Sequence, residues 1–151
     1  MENEMLNKET QKATGKVNVV VRDEFGSVKQ DFTVDNLVVD SGLDFIASRM
    51  NGTSEAVMSH MAVGTDNTAA ASADTALGTE LTRVALDSAT VTNNAIEYVA
   101  TFAAGTGTGA LTEAGVLNNG TGGTLLCRTV FSVVNKGASD SMTITWTVTI
   151  S

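Results

Sequence analysis

The chain has no proline and, in 151 residues, a single cysteine, Cys127, and a single histidine, His60. One cysteine excludes an intramolecular disulfide framework and any zinc site built on several thiolates. A lone His and a lone Cys far apart in sequence do not make a closed metal site either. Aromatic residues are 5% of the chain and the basic residues are scattered singly. The base-stacking surface and basic groove needed for single-stranded nucleic acid are therefore both missing. Nine basic residues stand against 17 acidic ones, a formal net charge of −8, which makes phosphate backbones and anionic membranes poor partners. No run of about 18 apolar residues is present to cross a membrane. The polar start MENEMLNKETQKATG carries no apolar signal-peptide stretch, so a protein made in the cytoplasm without processing is expected. Charged residues, at 17%, are too few for a typical disordered or coiled-coil chain, and the length suits one domain.

What is present is strand pattern. Residues 1–15 hold little apolar material beyond Met5 and Leu6 and read either as a frayed tail or as an arm laid on a partner subunit. From Lys16 the period becomes two. Val17, Val19 and Val21 precede the turn Asp23-Glu24-Phe25-Gly26, and Val28, Gln30, Phe32 and Val34 follow it, which predicts a β-hairpin. Ser41 reads as a helix N-cap with Asp44 in a capping-box position. Leu43, Ile46, Ala47 and Met50 would form the apolar face of a helix that Asn51-Gly52 closes. Residues 58–63 form a short apolar strand, and 64–79 a low-complexity stretch of small residues suited to a surface loop. Residues 80–92 read as one strand, turned at Asn93-Asn94 into a return strand bearing Ile96, Tyr98, Ala100 and Phe102. Strands over 112–118 and 124–134 follow. In the last strand Met142, Ile144, Trp146, Val148 and Ile150 alternate strictly with threonines, which places Trp146 at the centre of the core. The sum is an all-β chain of about eight strands, expected as a two-sheet β-sandwich with jelly-roll or Greek-key connections, one short helix and an extended N-terminal arm. The arm spans residues 1–15 and the domain residues 16–151.

Tests for chemistry return little. The run GTGTGA at 105–110 has dinucleotide-like glycine spacing but precedes a strand rather than a helix, so it reads as a turn. Asp66, Asp74 and Glu80 could meet across the small-residue loop, yet their spacing fits no calcium loop and a solvated loop is the expectation. Cys127, within Leu125-Leu126-Cys127-Arg128, has the setting of a buried small apolar residue. The sequons at Asn51 and Asn119 are chance matches in a chain rich in Asn and Thr. No nucleophile-elbow, paired-carboxylate or kinase pattern occurs. The sequence points away from an enzyme, and no cofactor or metal is expected.

Several runs resemble a group of tailed-bacteriophage virion proteins. They are Asn36-Leu37-Val38-Val39 with Ser41-Gly42-Leu43, Met61-Ala62-Val63-Gly64-Thr65, and Asp74-Thr75-Ala76-Leu77-Gly78-Thr79-Glu80-Leu81-Thr82-Arg83. Leu111-Thr112-Glu113-Ala114-Gly115-Val116-Leu117, Leu125-Leu126-Cys127-Arg128-Thr129-Val130-Phe131 and the closing threonine-rich strand fit the same group, so the likeness covers residues 36–151. It is strongest to small capsid-decorating, or cement, proteins, and tail- and fibre-associated proteins share it. The resemblance implies a jelly-roll-like module without catalytic residues that binds the major capsid protein on the outer surface of the virion and associates with itself as a dimer or trimer. The acidic charge suits the outside of a DNA-filled shell. Partner contacts are then expected from the arm, through Met5, Leu6, Lys8 and Lys12, and from Leu77, Glu80 and Arg83 of the 64–83 segment. For that segment the alternative is a local ion pair capping a loop. A tail, neck or baseplate component is the second expectation. A carbohydrate-binding module is the third and weakest, because Trp146 and Tyr98 read as inward-facing.

Overall fold

A computed structural model describes residues 12–52 and 55–151 of the chain. The chain is mostly β, as its alternating patterns predict. Among the described residues its strands are β1 (Ala13–Arg22), β2 (Val28–Val38), β3 (His60–Gly64), β4 (Glu80–Ala85), β5 (Ser88–Thr92), β6 (Ala95–Phe102), β7 (Gly109–Leu117), β8 (Leu125–Lys136) and β9 (Ser141–Ile150), with one helix, α1 (Asp40–Arg49). The nine strands form one antiparallel sheet in the order β4-β3-β7-β8-β2-β1-β9-β6-β5. The sheet is curled, and β4 comes back against β6.

The hairpin forms where expected. Asp23 Oδ1 accepts the backbone N–H groups of Phe25 and Ser27, both at 2.9 Å, and Gly26 takes the left-handed conformation (φ 83°) that closes the turn. β9 lies between β1 and β6, with Trp146 opposite Val17 on one side and Tyr98 on the other. Trp146, Val17, Ile144, Met142 and Phe102 are fully buried, so the strict alternation of β9 does mark its core face.

Four expectations need correction. Residues 80–92 are two strands, because the chain crosses between two parts of the sheet after β4. Leu86 N–H bonds to the Ser59 carbonyl on the β3 side, and Asp87 N–H to the Val99 carbonyl of β6. Among the described residues the strand count is therefore nine rather than about eight. Residues 13–15 belong to β1, paired to β9 and, at Gly15, to β2, so an arm can include only the residues before them. The helix starts one residue before Ser41 and has no side-chain cap; the Ser41 hydroxyl instead donates to the Leu125 carbonyl at 2.8 Å. Its buried face is Gly42 and Phe45, while Leu43 and Met50 are exposed. The reason is close approach: a Cβ at residue 42 would collide with the Leu126 carbonyl, so glycine lets the helix lie directly on the β8 backbone.

Cys127 is fully buried, as its neighbours predicted, and burial pushes its thiol far above the ordinary range. Tyr98 is pushed up to about 12, by burial and then by the nearby Cys127. Both groups hold their protons longer in the folded chain than in the unfolded one. Their stabilisation is thus complete below the unfolded pKa and is lost as pH rises. The thiol's contribution should fall from pH 9.0 upward as the unfolded thiol ionises, by about 1.4 kcal/mol per pH unit, and the tyrosine adds to that fall above 10.0. Lys136, whose pKa burial lowers, contributes the opposite sign. Comparing urea unfolding of wild type and Cys127→Ala between pH 8 and 10 isolates the thiol: the variant should lose the part of the slope that starts near 9.0.

Candidate functional site

Of the site residues expected from the resemblance, only Leu77 lies on the face of the β3-β7-β8 part of the sheet opposite the main core, where parts of several of the runs that carry the resemblance come together. β7 carries a register shift between Leu111 and Glu113. Beyond it Ala114 and Val116 enter the main core, while Gly115 and Leu117 turn to the opposite face. That second face is covered, not solvated. Leu77 lies in a small apolar cluster with Val39, Ala62, Leu117 and Leu125, and its Cδ2 would be 2.8 Å from a Cβ at residue 115. The 65–79 segment is thus a covering layer over the sheet, anchored by Leu77.

A buried ion pair staples that layer down. Glu113 is 0% exposed and Arg128 2% exposed, and Arg128 Nε donates to Glu113 Oε1 at 3.1 Å. Glu113 Oε1 also accepts Gly78 N–H at 2.8 Å, and Oε2 accepts Asp66 N–H at 2.9 Å and Thr79 N–H at 2.8 Å. Four donors satisfy the buried carboxylate, so its oxygens are not left without partners. The other arms of the Arg128 guanidinium donate to Asp74 Oδ2 at 3.0 Å and to the Thr68 carbonyl at 3.1 Å. Asp66 Oδ2 lies 3.9 Å from the same guanidinium. The Thr68 backbone N–H, then its hydroxyl and the Arg128 charge, hold the Asp66 carboxyl below the usual carboxylate range against a small burial cost. Gly64 and Gly78 are required by this packing, since a side chain at either would strike Glu113 or Asp66.

Asp66 and Asp74 do meet, then, but around the guanidinium of Arg128 rather than a metal ion, and Glu80 is elsewhere. The solvated-loop expectation fails at these two positions because the loop is tied to the sheet. No group of three or more metal-ligating side chains occurs among the described residues. Glu80 takes both Nε and Nη2 of Arg83, at 3.0 and 2.7 Å. Arg83 Nη1 reaches the carbonyls of Asn119 and Gly122, at 2.7 and 2.8 Å. That pair caps the turn after β7, the local role expected as the alternative to partner contact. Leu77 is buried within its own chain, leaving it little surface for a partner. Lys12 is exposed and exchanges two backbone hydrogen bonds with Ser151, at 2.8 and 2.9 Å. Met5, Leu6 and Lys8 lie outside the described residues.

The glycine run at 105–110 is a turn into β7, with Gly105, Gly107 and Gly109 all at positive φ. His60 Nδ1 is 2.8 Å from the hydroxyl of its neighbour Ser59, a local hydrogen bond at a strand start. A second buried polar group went unread in the sequence: Lys136, 1% exposed, donates to the carbonyls of Ala103 and Asp140, at 2.9 and 2.7 Å. The Asp140 carboxylate accepts from Lys29 at 2.6 Å and from Gly137 N–H at 2.7 Å, and these bonds hold it below the usual range. The signal for Glu113 and Arg128 was a charge inside each of two otherwise apolar runs, LTEAGVL and LLCRTVF. No family model matches the chain, and neither a curated protein nor a solved structure shows detectable similarity to it.

Proposed function

We propose that this chain is a non-enzymatic structural protein of a tailed-phage virion that binds the outside of an assembled capsid as a homo-oligomer and stabilises it by bridging major capsid protein subunits. One observation carries the reading. The virion-protein-like runs, scattered over residues 36–131, converge in three dimensions on a single assembly: Val39, Ala62, Gly64, Leu77, Gly78, Glu113, Gly115, Leu125 and Arg128. What that assembly presents outward is a firmly held layer of small residues, with Asn67, Thr68, Ala69, Ala71, Ser72, Ala73, Thr75 and Ala76 all exposed. A rigid surface of small side chains admits close approach at little conformational-entropy cost, which suits docking on a regular lattice. The curled sheet is read as a jelly-roll-like sandwich, with β4-β3-β7-β8 facing β2-β1-β9-β6-β5. The charge of −8 suits a position outside packaged DNA.

Binding to assembled shell but not to free subunits would stabilise the shell by mass action. Quantitative gel densitometry of purified virions tests the reading, with copies on the order of the capsid subunits expected. A few copies per particle would move the protein to the tail, neck or baseplate. For the arm, removal of residues 1–11 is expected to leave the melting transition in place and abolish co-sedimentation with capsids. Full-strength binding by the truncated chain would overturn the arm's part.

A further inference from the structure

Among the described residues β5 is a terminal strand of the sheet, bonded to β6 on one side and to no strand on the other. All five of its residues, Ser88-Ala89-Thr90-Val91-Thr92, are exposed. An open strand edge is a template for another strand, and proteins ordinarily protect it with charge, proline or a bulge. The edge at β4 and the open length of β2 carry charge. β4 carries Glu80 and Arg83, and Arg83 is tied across to the turn after β7. The length of β2 not paired with β8 carries Lys29, Asp31 and Asp35, all exposed. β5 has no charge, no proline and no register shift in its pairing with β6. Its inward-side residue Val91 is 70% exposed, although its β6 neighbour Ile96 packs on the core.

We infer that β5 is a self-association edge, which pairs antiparallel with β5 of a second copy about a two-fold axis at Thr90. The charge pattern selects a second copy as the occupant. At a two-fold axis each residue meets its own symmetry mate or its mirror position, so a charged edge would face itself. With the axis at Thr90, Ser88 faces Thr92 of the second copy, and Ala89 faces Val91. The first charge outward, Asp87, faces the neutral Asn93. No like charges oppose, and Val91 gains an apolar neighbour. In a chain of net charge −8, such a neutral segment is where two copies meet with least repulsion. This gives the homo-oligomer of the proposed function a specific interface, and it is read out without capsids, so either can fail alone.

Sedimentation velocity of the full chain over a wide concentration range tests it. Wild type should move from 15.6 kDa monomer towards dimer as concentration rises. Thr90→Lys and Thr90→Glu each place like charges opposite one another and should weaken association at least tenfold. Val133→Lys, an exposed valine on β8, should leave it unchanged. An equimolar mixture of the two Thr90 variants should restore dimer, because Lys then faces Glu. That restoration cannot come from misfolded chains. A wild type that stays monomeric, Thr90 variants that associate like wild type, or a mixture that remains monomeric would each overturn the inference.

Discussion

Glu113→Ala is expected to lower the free energy of unfolding by about 3–5 kcal/mol, the range for breaking a buried ion pair from one side. The cost has two sources. Arg128, 2% exposed, loses the carboxylate on Nε and retains Asp74 on Nη1. The backbone N–H groups of Asp66, Gly78 and Thr79 lose their only acceptor. A buried orphan donor costs about 1–3 kcal/mol, so three, even part-buried, would take up most or all of the penalty if the layer stayed in place. The layer should therefore lift instead, exchanging buried orphans for hydrated ones. Two measurements separate these events. Urea unfolding should show the global loss, and hydrogen exchange at Gly78 and Thr79 should accelerate well beyond that loss. Glu113→Gln keeps the volume and one acceptor oxygen but turns an NH2 towards N–H donors, and should fall between the two. A double-mutant cycle with Arg128→Met measures the coupling directly. An unfolding free energy for Glu113→Ala within 1 kcal/mol of wild type, with unchanged exchange at Gly78, would sink the staple.

The same region shows where sequence reasoning loses its grip. Periodicity identifies a buried face only when the other face is wet. β9 meets that condition, with threonines outward, and its core face was legible from Met142 to Val148, while Ile150 at the strand end is exposed. β7 does not: from Leu111 on it is buried on both faces apart from half-buried Thr112, so its sequence reads as a nearly continuous run and hides which side Glu113 takes. The small-residue stretch gave no sign of what it covers, because Leu77 is its only large apolar anchor. Local turn chemistry was easier. The two-residue connection at Asn93-Asn94 was legible because Asn tolerates positive φ, and Asn93 has φ 54°. The helix cap misled for a tertiary reason: Asp40 N–H bonds to the Ser72 carbonyl and Ser41 to Leu125, so the layer and β8 do what a local cap would do. For the site, the Glu80–Arg83 spacing correctly announced a pair. The Glu113–Arg128 pair brings together residues of adjacent strands, which no local spacing announces.

Trp146→Ala should cost about 3–5 kcal/mol, the range for deleting a large aromatic from a packed core. The more discriminating variant is Trp146→Phe. The indole Nε1 is buried and has no hydrogen-bond partner among the described residues, a penalty of about 1–3 kcal/mol already present in the wild type. Phenylalanine removes that orphan donor while leaving a smaller void, so the two effects oppose each other. The net change for Trp146→Phe should therefore lie within about 1 kcal/mol of zero, far from the alanine value. Far-UV circular dichroism in urea is the right readout, since each variant removes the chain's only tryptophan. If phenylalanine costs as much as alanine, the shape of the indole ring rather than apolar volume holds the core. The position also couples core to edge, because β9 joins β1, where the N-terminal segment begins, to β6, which carries β5. Loosening β9 should weaken both outlying features together. Trp146→Ala is then expected to accelerate hydrogen exchange in β1 and β6 alike, whereas Trp146→Phe should leave both protected.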